Sequence, residues 1–135
     1  MIDYLDTPIL VFACANATEL GNKSRGLIAS APHPVTTPHA LAECFNALTY
    51  RLGIPPAAAR KLMQKNFQKI RFESLDAADY LAALDEVVEN GQMGDKIYDA
   101  LHLRAARKAK ADKIHTSNKR DFAPFSPAAE VVKMS

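Results

Sequence analysis

In this 135-residue chain, short apolar segments run within a few residues into a proline or an acid able to start a helix. That punctuation constrains the fold more than any other feature. Tyr4-Leu5-Asp6 meets Thr7-Pro8, and Val35-Thr36-Thr37 meets Pro38. Proline lacks the N–H that a paired strand needs, but it suits the first turn of a helix, where that N–H has no partner anyway. The sequence therefore predicts a strand over 3–6 turning into a helix at Thr7-Pro8. A weaker helical stretch follows over 19–31, capped by Thr18 and interrupted by Gly21 and Gly26. A strand over 35–37 leads into a helix from Pro38 to Leu52, with Leu41, Phe45, Leu48 and Leu52 on its inward stripe and Gly53 ending it. Pro55 and Pro56 open a helix to about Lys69, with Leu62, Met63 and Phe67 inward, and 70–75 reads as a strand. Asp76 caps a helix to about Glu89, stopped by Asn90-Gly91, and Asp95 caps another to about Lys110. Strands over 113–117 and 129–133 complete the pattern. Alternating short strands and helices predict a single α/β domain over residues 1–135 with a short, mostly parallel central sheet.

Composition limits the class further. Apolar residues make up 48% of the chain, enough buried surface to offset the entropy of ordering, so a disordered chain is excluded. The longest apolar run, Ile9 to Ala15, is seven residues, far short of the roughly 18–20 of a membrane span. It follows Asp3 and Asp6 rather than a basic segment, against a signal peptide. Cys14 and Cys44 match no zinc pattern and are too few for a disulfide framework, so the expectation is a reduced, cytoplasmic protein with no membrane partner. The net charge of +2 hides sorted segments. Residues 51–71 carry six Lys/Arg and no acid, 73–95 carry seven Asp/Glu and no base, and 96–120 carry eight bases against two acids. Such runs are either solvated helix faces or local fields that steer an anionic ligand.

Four carboxylates fall where a parallel sheet gathers its functional groups, at strand ends and helix starts. Asp6 ends the first strand, Glu43 lies early in the helix after Pro38, Asp99 lies early in the helix after Asp95, and Asp121 follows the strand over 113–117. Carboxylates that converge repel one another unless a hard divalent cation joins them, and Mg²⁺ and Mn²⁺ suit oxygen ligands. Each acid at a helix start also has an ordinary explanation, since it complements the helix dipole.

The motifs containing these acids resemble those of the PIN-domain ribonucleases, most of all the VapC-type toxins of toxin–antitoxin pairs. Tyr4-Leu5-Asp6-Thr7-Pro8-Ile9-Leu10-Val11 is similar to the family's opening strand, with Pro8 where the family usually has Asn. His39-Ala40-Leu41-Ala42-Glu43-Cys44-Phe45-Asn46-Ala47-Leu48 resembles the second motif and Tyr98-Asp99-Ala100-Leu101-His102 the third. Thr116-Ser117-Asn118-Lys119-Arg120-Asp121-Phe122 resembles the fourth, Thr-x-Asn-x-x-Asp-Phe. The resemblance spans roughly residues 3–133 and implies a PIN-like fold.

It further implies that Asp6, Glu43, Asp99 and Asp121 bind Mg²⁺ or Mn²⁺, and that a metal-activated water hydrolyses RNA phosphodiesters. Thr116 and Asn118 would hydrogen-bond these carboxylates or their waters, and Asp95 is either a helix cap or a fifth acid. Arg104, Lys119 and Arg120 are candidates for contact with RNA phosphates. The basic amphipathic segment over 55–69 is either a core-packed helix with a solvated back or part of a groove for an antitoxin peptide. The resemblance also implies a cognate protein antitoxin and a homodimer. The four histidines show no helical ligand spacing and read as surface or packing residues. A catalytically weak PIN-fold module that mainly binds RNA or a protein partner is the alternative, motivated by Pro8.

Overall fold

The computed structural model describes residues 1–15 and 17–135. Five strands, β1 (Ile2–Leu5), β2 (His33–Thr36), β3 (Arg71–Phe72), β4 (Lys113–Thr116) and β5 (Glu130–Lys133), form one sheet in the order β3-β2-β1-β4-β5. Every pairing is parallel. Six α-helices connect them: α1 (Thr7–Ala15), α2 (Glu19–Ser30), α3 (Pro38–Asn46), α4 (Pro56–Asn66), α5 (Ala77–Glu89) and α6 (Lys96–Lys108). The α/β class, the parallel sheet and the strand-into-helix turns at Thr7-Pro8 and Pro38 follow the sequence pattern.

Helices cover both faces of the sheet, so alternate residues of one strand enter two different cores. Tyr4, Val35 and Ile114 join Leu101, Leu103 and Ala105 of α6 and Ala83 and Val87 of α5. Leu5 joins Ile9, Leu10 and Ala13 of α1, Ile28 of α2, Ala40 and Cys44 of α3, and Ala59 and Met63 of α4. Strand order reverses between β1 and β4, and the crevice at the carboxyl ends of those two strands is where a sheet of this kind binds ligands.

The structure corrects several local expectations. The stretch over 19–31 is one uninterrupted helix ending at Ser30, because Gly21, Ser24 and Ile28 are buried and tertiary packing overrides glycine's low propensity. The helix from Pro38 does not run to Leu52 as a regular α-helix. It widens into a π turn over Ala47–Arg51, which breaks the expected stripe. Leu48 is buried and Leu41 packs on the core as expected, but Phe45 and Leu52 face outward, and Ala40, Cys44 and Ala47 complete the buried face. Leu62 is only partly buried, although Met63 and Phe67 are inside as expected. The strand over 70–75 shrinks to Arg71–Phe72 at the sheet edge, with Glu73 N–H adding one bond to the Thr36 carbonyl at 2.8 Å. The helix α4 stops at Asn66, and Lys69 turns back to donate to the carbonyls of Ala29 (2.8 Å) and Ala31 (2.6 Å) at the end of α2.

The sorted charges have a structural explanation. The acidic helix α5 lies against the basic helix α6. Asp79 receives Arg104 Nε at 2.9 Å and Lys108 Nζ at 2.8 Å, and Glu86 receives Arg107 at 2.9 Å. The hydrogen bond from Lys108, with Asp76 and Arg104 behind it, holds the Asp79 carboxyl well below the usual range. Asp79 also completes a capping box with Asp76 at the start of α5. Much of the positive charge of α6 is therefore engaged with its neighbouring helix.

Candidate active site

The crevice at the carboxyl ends of β1 and β4 is a cavity of about 1090 Å³. Asp6, Glu43, Asp99 and Asp121 all line it, with Thr7, Pro8, His39, Asp95, Lys96, Tyr98, His102 and Ser117. The four acids reach it from four elements: the end of β1, α3, α6 and the short turn after β4.

One half of the cavity is a buried hydrogen-bond network. The Thr116 hydroxyl donates to Asp6 Oδ2 at 2.7 Å, and Thr7 N–H donates to Asp6 Oδ1 at 2.9 Å. His102, 2% exposed, sits at the centre. Its Nδ1 is 2.7 Å from Tyr4 Oη, and its Nε2 is 2.9 Å from Glu43 Oε1, 3.4 Å from Asp6 Oδ1 and 3.1 Å from Thr7 Oγ1. Burial alone would lower the His102 pKa, but Asp6 and Glu43 outweigh it and the value is raised. Glu43 responds in the opposite sense. Burial pushes its carboxyl up, while the bond and charge of His102, His39 nearby, and the Thr7 hydroxyl at 3.1 Å bring it below the ordinary range. Burial and the Asp6 charge raise Tyr4 well above the ordinary phenol value, so it remains a neutral hydrogen-bonding partner.

The other half is looser. Lys96 Nζ stands 3.3 Å from Asp99 Oδ2 and 3.7 Å from Asp121 Oδ1. Burial and the charge of Asp121 raise the Asp99 carboxyl to about 6 in spite of Lys96. Burial, opposed by Lys96 and supported by Asp6, also raises Asp121. Asn118 starts the turn that carries Asp121: its Oδ1 accepts from Arg120 N–H at 3.1 Å and its Nδ2 lies 3.4 Å from Asp121 Oδ1. Asn118 is thus both a turn residue and a support for the acid.

Among the described residues, no three His, Cys, Asp or Glu side chains converge closely enough to hold a metal ion as they stand. The expected acidic constellation shares one cavity but pairs with internal cations, Asp6 and Glu43 with His102, and Asp99 and Asp121 with Lys96. The donor set is carboxylate oxygen, which suits Mg²⁺ or Mn²⁺, and Asp99, raised first by burial and then by the charge of Asp121, is an acid whose ionised form a divalent cation would favour.

Asp95 occupies the cap position of α6 without a capping bond from its side chain, and it lines the cavity, so it is better described as a further cavity acid than as a cap. Arg104 is tied to Asp79 and does not line the cavity. Lys119 and Arg120 are exposed on the turn beside Asp121. Two of the four histidines, His102 and His39, are cavity residues rather than surface or packing residues, and the rings of His39 and Tyr98 stack 5.4 Å apart at 11°. His115 pairs with Asp3 at 2.8 Å within the sheet, as a packing role requires. Lys96 was not legible as a site residue from charge or composition. The available signal was spacing, because Lys96, Asp99 and His102 recur every three residues and so share one face of α6.

Comparison with known proteins places this geometry in context. A protein-family model described as PIN domain matches residues 4–125. No curated protein sequence matches the chain. Among solved structures, the chain is similar to VapC20 of Mycobacterium tuberculosis, described as a sarcin-ricin-loop-cleaving toxin. The TM-score is 0.73 and the identity 20%, with 90% of this chain and 93% of that one covered. It is also similar to VapBC2 from Rickettsia felis bound to a DNA fragment from their promoter, at TM-score 0.73 and 18% identity over 100% of both chains. A toxin–antitoxin complex from Klebsiella pneumoniae matches with TM-score 0.70 and 15% identity over 98% of each chain.

Proposed function

The chain belongs to the PIN-domain family, and from that premise we propose that it is a Mg²⁺- or Mn²⁺-dependent endoribonuclease, the toxin of a toxin–antitoxin pair. The observation that carries the reading is that Asp6, Glu43, Asp99 and Asp121, drawn from four separate elements, line one cavity at the strand-order reversal of a parallel sheet. Likeness to the toxins of Mycobacterium tuberculosis and Rickettsia felis supports it.

In this reading the four carboxylates hold the divalent cation, which when bound lowers the pKa of a water and offsets charge on the phosphate. The chain's own residues do the rest. Thr116 and the Thr7 N–H fix both oxygens of Asp6. His102 and Thr7 hold Glu43, and Asn118 supports Asp121. Lys119 and Arg120, exposed beside Asp121, contact the RNA backbone.

A protein antitoxin is the proposed partner, and the exposed Tyr50 and Leu52 beside Arg51 at the cavity edge offer an apolar and basic seat for it. A homodimer would cover Leu81, Leu84 and Val88, an exposed apolar stripe on α5. Among the described residues, no helix is long and apolar enough to cross a membrane. A cytoplasmic location is proposed from the free thiols of Cys14 and Cys44.

The test is cleavage of a mixed structured-RNA substrate with Mg²⁺ or Mn²⁺, compared with EDTA and with Asp6→Asn. Cleavage that requires both metal and Asp6 is the expected result. A folded, metal-supplied protein that binds RNA without cutting it would replace the nuclease with a binding module, and Pro8, which lines the cavity, would be the first residue to change.

A further inference from the structure

We propose that Lys96 is a resident cation of the cavity: it neutralises Asp99 and Asp121 while the divalent metal is absent, and turns to the RNA phosphate when the metal displaces it. The inference rests on the metal-dependent nuclease reading above.

The argument begins with a local rule that Lys96 breaks. It is the first residue of α6, where the helix dipole disfavours a cation. The other bases of α6 obey the usual preference or are tied elsewhere. Arg107 and Lys108 lie in the last turn, Arg107 on Glu86 and on the Phe125 carbonyl, and Lys108 and Arg104 on Asp79. A residue that violates local preference next to a cavity is a candidate for function.

What offsets the violation is the cavity itself. Lys96 Nζ lies 3.3 Å from Asp99 Oδ2, 3.7 Å from Asp121 Oδ1 and 3.5 Å from the Asp121 carbonyl oxygen. Among the described lining residues, Lys96 and Arg51 are the only Lys or Arg side chains, and Lys96 alone of the two pairs with a cavity acid.

Two of the four carboxylates proposed to hold metal are thus already paired with an ammonium group. A divalent cation taking the same oxygens would repel it at close range. The lysine stem is long and flexible, and its side chain is 26% exposed, so the head group can leave without moving α6. The strongest anion then available to it would be an RNA phosphate bound in the same cavity. Lys96 therefore acts with opposite signs on two steps, weakening metal binding in the free protein and strengthening the hold on RNA in the loaded one.

That pair of signs is the test. Mn²⁺ binding to the full chain, without RNA, is measured by calorimetry at pH 8 for wild type, Lys96→Met and Lys96→Arg. Single-turnover RNA cleavage at saturating Mn²⁺ follows for the same proteins, and circular dichroism checks their folding. Lys96→Met, which keeps the stem and loses the charge, is expected to bind Mn²⁺ roughly tenfold more tightly and cut RNA roughly tenfold more slowly, while Lys96→Arg stays near wild type in both. A merely structural lysine would not tighten metal binding when removed. Unchanged or weaker Mn²⁺ binding in Lys96→Met, beside an active wild type, overturns the inference and leaves the nuclease reading standing. Tighter Mn²⁺ with undiminished cleavage overturns the phosphate role. A wild type that neither binds Mn²⁺ nor cuts RNA overturns the nuclease reading, and this inference with it.

Discussion

The two halves of the cavity solve the same electrostatic problem in different ways. Around Asp6 and Glu43, an imidazole fixed from both sides supplies the compensating charge, with Tyr4 Oη on Nδ1 at 2.7 Å and Glu43 on Nε2 at 2.9 Å. Around Asp99 and Asp121, a flexible amine does so at 3.3 and 3.7 Å. His102 is almost wholly buried, whereas the Lys96 side chain is about a quarter exposed. Preorganised contacts in a dry site are strong but costly to break, and loose contacts near solvent are weak but exchangeable. The His102 half is therefore the rigid scaffold and the Lys96 half the adjustable one.

The largest effect expected from this contrast is on stability. His102→Leu leaves Asp6 and Glu43 without their buried partner and strands the Tyr4 hydroxyl, which should cost about 3–5 kcal/mol. Lys96→Met removes a half-open pair and should cost less than about 1 kcal/mol. Urea denaturation of both variants at pH 7 decides the matter, and equal losses would erase the distinction between scaffold and adjustable half.

Two carboxyls, Glu43 of one half and Asp99 of the other, should also respond to pH with opposite signs. Glu43 has a lowered carboxyl pKa, so its contribution to stability is present above the ordinary value and is lost as pH falls through the depressed one. Asp99 is raised from 3.8 to about 6, so the folded state holds that proton more tightly. Its contribution is full below about pH 4 and is lost as pH rises through about 6, a change of about 2–3 kcal/mol. Asp99→Asn should therefore stabilise the metal-free protein by about 2 kcal/mol at pH 8 and by little at pH 4. Thermal melts in EDTA across that range test this, and a variant equally stable relative to wild type at both pH values would refute the raised Asp99 carboxyl.

How much of this was readable beforehand follows from which interactions are local. The strand-to-helix turns at Pro8 and Pro38, the cap at Asp76 and the turn at Asn118 are set within a few residues, and the sequence displays them. The π turn after Asn46 is not, because nothing in Ala47–Arg51 breaks helical periodicity. The four acids could be named because each lies in a recognisable motif, and the structure gives them a common cavity. Their cations could not. His102 meets Asp6 and Glu43 only when α6 is laid over β1 and α3, and Lys96, although one turn from Asp99, meets Asp121 only through the turn after β4. The same long-range pairing explains why the sequence left the basic run of α6 open between a solvated face and a field for an anionic ligand, when Arg104, Arg107 and Lys108 face Asp79 and Glu86 of α5.

A finer probe asks how the scaffold is held to the sheet. Thr116 is fully buried and donates its hydroxyl to Asp6 Oδ2 at 2.7 Å, while its own Oγ1 accepts from Asn118 N–H at 3.3 Å. Thr116→Val keeps the shape and strands one carboxylate lone pair and one backbone donor, for a loss of about 1–2 kcal/mol. Because Asp6 keeps its bonds to Thr7 N–H and His102, its position should relax rather than collapse. RNA cleavage at saturating Mn²⁺ should then fall roughly tenfold, with Mn²⁺ affinity weakened to a similar degree. The corresponding support in the other half, the 3.4 Å contact from Asn118 to Asp121, is longer and exposed, so Asn118→Ala should cost metal affinity less than Thr116→Val does. If calorimetry gave the reverse order, the adjustable half would be the one that sets metal affinity, and the division between the two halves would have to be redrawn around Asp121.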